Sequence, residues 1–346
     1  MQSHTDIRAL NYCSDAIDDI RNTVKSTRSV MPYTSQHASV LVDLLQNAVK
    51  FILPNCAALI DDFTLRESHL ELFRLPYPVV AFEATWEKEG EAETMLNGYA
   101  QGKSSKRIAL CWEQEEAARY FKGYNPFPYL DAAKASEVFR SGGVFVYPVY
   151  YDDKTRIWSF AAGGTFMPRD FLMTAETKRM PASDIIKGAL SEVGRFKKAA
   201  GEFRAEPFIL MPELFEALVI QGRDFDRALA QVALDSSDEV TAAVQACSVL
   251  NCANVRTSEV APSRAANALR AAKGKRPFFT YKVLEVSADR GRGGSATGSH
   301  ASPRMHLRRG HLRRLDGKVV WVRAAMVNAK STDGVVAKDY SLPRSK

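Results

Sequence analysis

The sequence holds five cysteines among its 346 residues. That number is odd, and it is too small to build a disulfide framework at this length. Reduced thiols in a cytosol are therefore expected. No run of about 18 apolar residues occurs, so no membrane-spanning helix is expected. The opening stretch MQSHTDIRALNYCSD is polar and offers no apolar core for a secretory signal. No repeat of about 20–50 residues stands out, which argues against a solenoid. The glycine-rich stretch RGRGGSATG (Arg290 to Gly298) lacks the Lys-Ser/Thr ending of a P-loop. GxSxG and HExxH are absent too, so neither a hydrolase nucleophile elbow nor a zincin helix is expected.

Apolar residues make up 46% and charged residues 25%, an ordinary globular balance. The length suits two domains or three at about 100–200 residues each. Net charge is +7, but it is unevenly spread. From Asn251 to the end there are 20 Lys and Arg against 6 Asp and Glu; the first 250 residues hold the other 27 and 34. A body of −7 thus carries a C-terminal quarter of +14. Such asymmetry points to a polyanion, most often nucleic acid, or to an acidic protein surface.

Hydropathy patterning divides the chain into four segments and implies an α+β fold. Mostly helical N-terminal and middle regions surround a small antiparallel sheet, and a basic β-rich C-terminal module follows. Residues 1–72 read as helical, with Ala38 to Leu53 as one helix ended by Pro54. Residues 73–175 form an α+β region. Val79 to Trp86 and Arg107 to Trp112 are strands. VFVYPVYYDD and TRIWSFAAGG make a hairpin around Asp152-Asp153-Lys154. Pro148 predicts an edge position for the first of these two strands, where an extended peptide would pair. Residues 176–275 are helical again. Ser183-Asp184 caps a helix through Lys198, Pro212 opens another, and helices cover Leu234 to Leu250 and Ala261 to Lys273. Residues 276–346 hold a strand from Phe278 to Val286, a Gly/Ser-rich flexible loop at 288–299, and strands at Lys318–Arg323 and Gly334–Tyr340. Leu315-Asp316-Gly317-Lys318 predicts a tight hairpin turn, since Asp-Gly tolerates positive φ.

The densest chemistry lies between His300 and Arg323. His300, His306 and His311 share this stretch with Arg304, Arg308, Arg309, Arg313, Arg314, Lys318 and Arg323, and Asp316 is its one carboxylate. Arginine forks match phosphate geometry, and histidine exchanges protons near neutrality. One set of roles is metal-independent phosphodiester cleavage, with His306 and His311 as base and acid and Arg309 stabilising the transition state. Tyr340 is a further hydroxyl candidate. In the same reading Arg304, Arg308, Arg313, Arg314, Lys318 and Arg323 bind the nucleic acid. The same residues also suit a phosphate-contacting surface without catalysis, or pairing with acidic faces of the body. The histidine spacing matches no zinc pattern, so no metal is expected, and no cofactor. Cys247 and Cys252 read as core cysteines. Glu83 and Glu87 flank Trp86 and read as exposed strand carboxylates rather than a catalytic pair. The aromatics of YFKGYNPFPYL (Tyr120 to Leu130) read as packing rather than a peptide-binding or base-stacking surface.

The tail SPRMHLRRGHLRRLDGKVVWVRAAMV resembles the R-x-H-x-R-R-G-H segment, Trp-x-Arg strand and Val-Asn turn of a family of phage and plasmid proteins that includes an anti-CRISPR member directed against type V-A systems. Arg304, His306, Arg308, Arg309, Gly310, His311, Trp321, Arg323, Val327 and Asn328 carry the match. Upstream, Leu250 to Val286 resembles the family's L-x-C-x-N-V and G-K-x-P-x-x-x-Y-x-V-L segments, and Arg74 to Glu83 its LP-x-P strand. After Gly310-His311 the chain departs from the family's aromatic, His-rich continuation and reads Leu312-Arg313-Arg314. The resemblance implies an anti-defence protein in the cytoplasm of a bacterial host. Such a protein would recognise a host target protein, for example a CRISPR effector, or its nascent N-terminal peptide, and cause loss of the encoding mRNA. Its implied partners are RNA (mRNA or ribosome-associated), the target or nascent peptide, and the ribosome; no membrane is implied. A non-enzymatic nucleic-acid-binding or stoichiometric protein inhibitor is the alternative, and a virion protein packed on nucleic acid is a third.

Overall fold

The computed structural model describes residues 9–61, 63–87, 94–96, 99–101, 103–172, 181–192, 203–222, 224–286, 306–308, 311–322 and 325–327. The chain opens with helices α1 (Tyr12–Thr27) and α2 (Pro32–Asn47), strand β1 (Val49–Ile52) and the single turn α3 (Glu67–Leu70). Strands β2 (Val79–Thr85), β3 (Thr94–Leu96), β4 (Tyr99–Gln101) and β5 (Lys106–Glu113) precede helices α4 (Gln114–Tyr120) and α5 (Ala132–Phe139). Next come β6 (Gly143–Asp152), β7 (Ile157–Phe160), β8 (Gly163–Pro168), α6 (Pro181–Glu192), β9 (Glu206–Ile209), α7 (Pro212–Gly222) and the long α8 (Phe225–Leu250). The remainder is β10 (Val255–Val260), α9 (Arg264–Ala272), β11 (Tyr281–Val286), β12 (His306–Arg308), β13 (His311–Leu315), β14 (Lys318–Val322) and β15 (Ala325–Val327).

The fold is α+β, as the hydropathy pattern implies. Among the described residues, nine strands join one mixed sheet in the order β10-β11-β1-β2-β5-β6-β8-β9, with β7 also on β6. The β11–β1 and β1–β2 pairs are parallel and the others antiparallel. All four sequence segments contribute strands to it. Side chains alternate across the sheet as the pleat requires. Val79, Ala81, Ile108, Leu110, Trp112, Phe145 and Tyr147 pack on one face with Ile17, Ile20, Leu41 and Leu45 of α1 and α2. Val80, Phe82, Ala109, Cys111, Val144 and Val146 pack on the other face with Ala242, Ala243, Ala246 and Cys247 of α8. The small residues on α8 let a buried helix lie close to the strands. Gly163 and Gly164 do the same within the sheet: a Cβ at either would fall on the carbonyl oxygen of Phe208 or of Val146.

Several sequence expectations need correction. Ala38 to Leu53 is not one helix: α2 ends at Asn47, and Val49–Ile52 pairs with β2 on one side and β11 on the other. Lys50 makes the change of course. Its Nζ turns back to donate to the carbonyls of Gln46 (2.8 Å) and Ala48 (2.7 Å), closing the C-terminus of α2 with a cation where the helix dipole is negative. The β6 strand is interior rather than an edge, so no peptide can add there. Its ladder with β8 ends at Val146 and its ladder with β7 starts at Val149, so Pro148 falls where the strand changes neighbours. Helix α8 starts nine residues before Leu234, at Phe225, capped by the Asp224 carboxylate on the amides of Asp226 and Arg227. Ser236 lies inside it and hydrogen-bonds Thr165 of β8 at 2.7 Å. Helix α6 begins at Pro181, before the expected Ser183-Asp184 cap. The strand expected from Phe278 begins at Tyr281. The β6–β7 hairpin, the helix opened by Pro212 and the α9 helix stopped at Gly274 (φ 63°) are as expected. Lys198, the 288–299 loop, Gly334–Tyr340 and Tyr340 lie outside the described residues. Among the described residues no helix is long and apolar enough to cross a membrane.

The start of α1 is built from a distance. Its N-cap, Asn11, sits in the left-handed region (φ 60°) and makes no side-chain cap. Glu83 of β2 takes that role. Its two carboxylate oxygens accept from the amides of Tyr12 (3.0 Å) and Cys13 (2.8 Å), and the Tyr281 hydroxyl of β11 donates at 2.9 Å. Glu83 has no solvent exposure. Burial pushes its pKa up, while these donors pull it back. The exposed strand carboxylate expected at this position is therefore a buried clamp joining three parts of the chain. Glu83→Ala leaves two helix amides and a tyrosine hydroxyl buried without an acceptor. We expect a loss of about 3–5 kcal/mol in unfolding free energy. Urea denaturation checks this, and a midpoint unchanged from the parent would refute the clamp.

Candidate functional site

The basic module is organised around the β13–β14 hairpin. Asp316-Gly317 forms its turn, with Gly317 at φ 69°, as the sequence predicts. Directly opposed residues share a face of a two-stranded ribbon. His311, Arg313 and Lys318 therefore lie with Val320 and Val322 on one side, and Leu312, Arg314, Val319 and Trp321 on the other. His311, Arg313, Arg314 and Lys318 are exposed, while Val320, 4% exposed, seats the ribbon.

The hairpin is tied to the body through backbone groups. The Asn254 side chain accepts from the Trp321 amide and donates to its carbonyl, both at 2.8 Å, and the Ala253 amide donates to the Val319 carbonyl at 2.9 Å. Ala253 and Asn254 lie in the turn between α8 and β10, so the basic ribbon is anchored at that turn. Arg314 pairs with Glu71 beside α3, which occupies one of the expected phosphate-binding guanidiniums. That pair is exposed on both sides and is worth little, since water screens it.

The two proposed acid–base histidines belong to different ladders. His306 and Arg308 lie in β12, opposite Val327 and Ala325 of β15, whereas His311 lies opposite Val322. For His306 and Arg308 only the backbone is described. Arg304, Arg309, Arg323 and His300 lie outside the described residues. The structure thus brings His311, Arg313 and Lys318 to one face.

Three buried polar clusters were invisible as clusters in the sequence. Cys13, Lys50 and Tyr281 gather around Glu83. Burial and the Glu83 charge push the Cys13 thiol well up, and the Tyr281 hydroxyl likewise. Neither is a ready nucleophile, so this cluster is structural. In the second, Arg107 of β5 donates to Glu239 of α8 at 3.2 Å, lies 3.3 Å from Asp238, and stacks its guanidinium over Trp86 at 5.0 Å. In the third, Arg204 donates to Asp170 at 2.6 Å near Glu206 of β9. Glu239 and Glu206 are each 1% exposed, and burial lifts both pKa values to about 7 against the nearby arginine. The signal for such sites was present: Glu83 stands in VVAFEAT, where every neighbour but the last threonine is apolar. Cys247 and Cys252 are buried core residues as expected. Among the described residues no group of three or more His, Cys, Asp or Glu is placed to hold a metal ion.

Comparison of the chain with protein-family models, curated proteins and solved structures finds no match.

Two outcomes follow. Asn254→Ala removes both side-chain bonds to Trp321 and should make trypsin cut faster after Arg313 and Arg314, with the body left intact; an unchanged cleavage rate would contradict the anchoring role. Separately, Glu239 and Glu206 keep their protons up to about pH 7 in the folded state, whereas an unfolded glutamate releases its proton near about 4.3. The folded state therefore binds more protons between these values, and stability falls as pH rises through that window. The urea midpoint should drop between about pH 4.5 and about pH 7, and Glu239→Gln should drop less. Equal slopes would exclude Glu239 as a source.

Proposed function

We propose that this chain is an RNA-contacting protein of a mobile genetic element. Its α+β body recognises a host protein or the nascent N-terminal peptide of that protein, and its basic ribbon engages the encoding mRNA, which is then lost. The observation that carries the reading is the exposed set His311, Arg313 and Lys318 on one face of a hairpin tied to the turn after α8. A ribbon held by backbone bonds presents cations at fixed spacing, the arrangement that phosphate contacts need. The charge split, −7 in the first 250 residues and +14 after them, supports a division between recognition and polyanion binding. The R-x-H-x-R-R-G-H resemblance supplies the anti-defence and translation-coupled part of the reading, with a CRISPR effector as the example target.

In the cleaving form of this proposal, His306 and His311 act as base and acid, and Arg309 stabilises the pentavalent transition state. One observation favours the second reading, a non-enzymatic RNA binder or stoichiometric inhibitor: the two histidines belong to separate ladders.

The experiment is a translating extract programmed with a type V-A effector transcript. The purified chain should deplete the transcript only while it is being translated; an intact transcript would sink the proposal. His311→Ala should abolish the loss if the chain itself cuts, and should leave it unchanged if a host nuclease is recruited. Replacing Arg313 and Lys318 together by Ala should weaken binding to single-stranded RNA and flatten its salt dependence by about 1.4 in slope, about 0.7 for each phosphate contact. An unaltered slope would remove these two residues from the interface.

A further inference from the structure

The body holds a cavity of about 300 Å³ remote in sequence from the basic module. Its walls are the aromatic side chains of Trp112 and Phe145 from the sheet, Phe121 and Tyr124 after α4, Phe139 of α5, and Phe208 of β9. Trp112 stacks on Phe145, with centroids 5.5 Å apart and planes within 9°, and Phe208 meets Trp112 edge-on at 5.9 Å. The residues expected to serve only as packing, Phe121 and Tyr124, therefore form part of a pocket. Exposed Ala118 of α4 also lines it, beside Gly123 and Pro126.

Three features define what fits. First, size: about 150 Å³ of apolar cavity holds a benzene ring, so twice that holds two fused rings, and about 300 Å³ is the lower end of ligand pockets. Second, charge: no carboxylate, ammonium or guanidinium lines the space. Tyr124 is neutral, with its hydroxyl donating to the Ile209 carbonyl at 3.0 Å. A charged ligand would lose its hydration there without a counter-ion. Third, polarity: two lining residues each carry a buried polar atom without a hydrogen-bond partner, Nε1 of Trp112 and Oε1 of Gln114. The indole N–H lacks an acceptor, and the amide oxygen lacks a donor. Most buried polar groups in folded proteins are paired, so an unpaired donor and acceptor two residues apart, beside one cavity, call for a ligand offering both.

We infer that this cavity binds a neutral, flat, two-ring heterocycle that carries a ring N–H beside a carbonyl, the chemistry of a 6-oxopurine base. The rings stack among Trp112, Phe121 and Phe208, the carbonyl accepts from Trp112 Nε1, and the ring N–H donates to Gln114 Oε1. In the same orientation adenine reverses that edge, placing its amino donor against the Trp112 N–H and its bare ring nitrogen against the Gln114 oxygen, so that pose mismatches both protein atoms. The base can come from a free nucleoside or from a nucleotide within an RNA strand. The inference is independent of the reading of the basic ribbon, since no residue is shared.

Isothermal titration of the full chain with inosine, guanosine, adenosine, indole and choline tests it. Inosine and guanosine should bind at least about tenfold more tightly than adenosine, the discrimination expected when a built polar edge is mismatched. Gln114→Leu should erase that preference while stacking persists. Ala118→Phe, an exposed position that places a ring at the cavity, should abolish binding without altering the urea midpoint. A guanosine-centred trinucleotide matching inosine in affinity assigns the source to RNA, and failure of the trinucleotide with retained inosine binding assigns it to free nucleoside. Equal affinity for adenosine and inosine, preference for indole, tighter binding of choline, or no heat with any of them would overturn the inference.

Discussion

A single carboxylate sets the geometry of the body. Glu83 belongs to the sheet, yet its oxygens complete the first turn of α1 and receive a hydroxyl from β11. A carboxylate with no solvent contact is expensive to bury unless its oxygens are occupied, so its position, the helix start and the β11 strand must be correct together. The N-terminal end of a helix is a region of positive potential, which offsets part of the burial cost. The same device recurs nearby. Glu213 of α7 accepts from the amides of Tyr33 and Thr34 at the start of α2, and Lys50 closes the end of that helix. The starts of α1 and α2 are therefore finished by residues distant in sequence, Glu83 and Glu213, so the point where each helix begins is set by tertiary structure.

This arrangement separates rigidity from chemistry. Polar groups around Glu83, Glu239 and Glu206 lie within the body and join helices to strands. Their raised pKa values reflect burial rather than readiness to react. The exposed cations His311, Arg313 and Lys318 stand on the β13–β14 ribbon. Asn254 connects the two parts, and it does so through backbone atoms of Trp321, so the attachment depends little on which side chains the ribbon displays. A recognition surface that varies while its anchorage persists is what such a joint permits.

Local signals were readable where local physics decides. Asp316-Gly317 announced its turn because a two-residue hairpin needs positive φ. Gly274 and Pro212 marked helix limits for equally local reasons. Apolar runs rich in β-branched and aromatic residues located β2 and β5. Reading failed where partners are remote. Val49–Ile52 continues the helical period of α2 but has strands waiting on both sides, and sheet pairing prevailed. Pro148 implied an edge because the change from β8 to β7 along one strand leaves no trace in a local pattern. The His/Arg cluster was legible as composition, yet its division between two ladders depends on pairing that spacing alone does not specify. Glu83 went unrecognised because a strand carboxylate is ordinarily solvated; only its unbroken apolar surroundings distinguished it.

The strand order carries a consequence for how the chain is made. β11, which ends at residue 286 of 346, sits between β1 and β10. Lys50 pairs with Tyr281, 231 residues further along the chain (281 − 50). During synthesis the β11 partner of β1 is made more than 200 residues after it, and contacts of such separation form slowly. An open strand edge invites pairing with neighbouring chains, and a lysine in mid-strand is a residue type that discourages it. Lys50, the clasp on α2 in the finished molecule, is thus also the kind of residue that would discourage pairing at an unfinished edge.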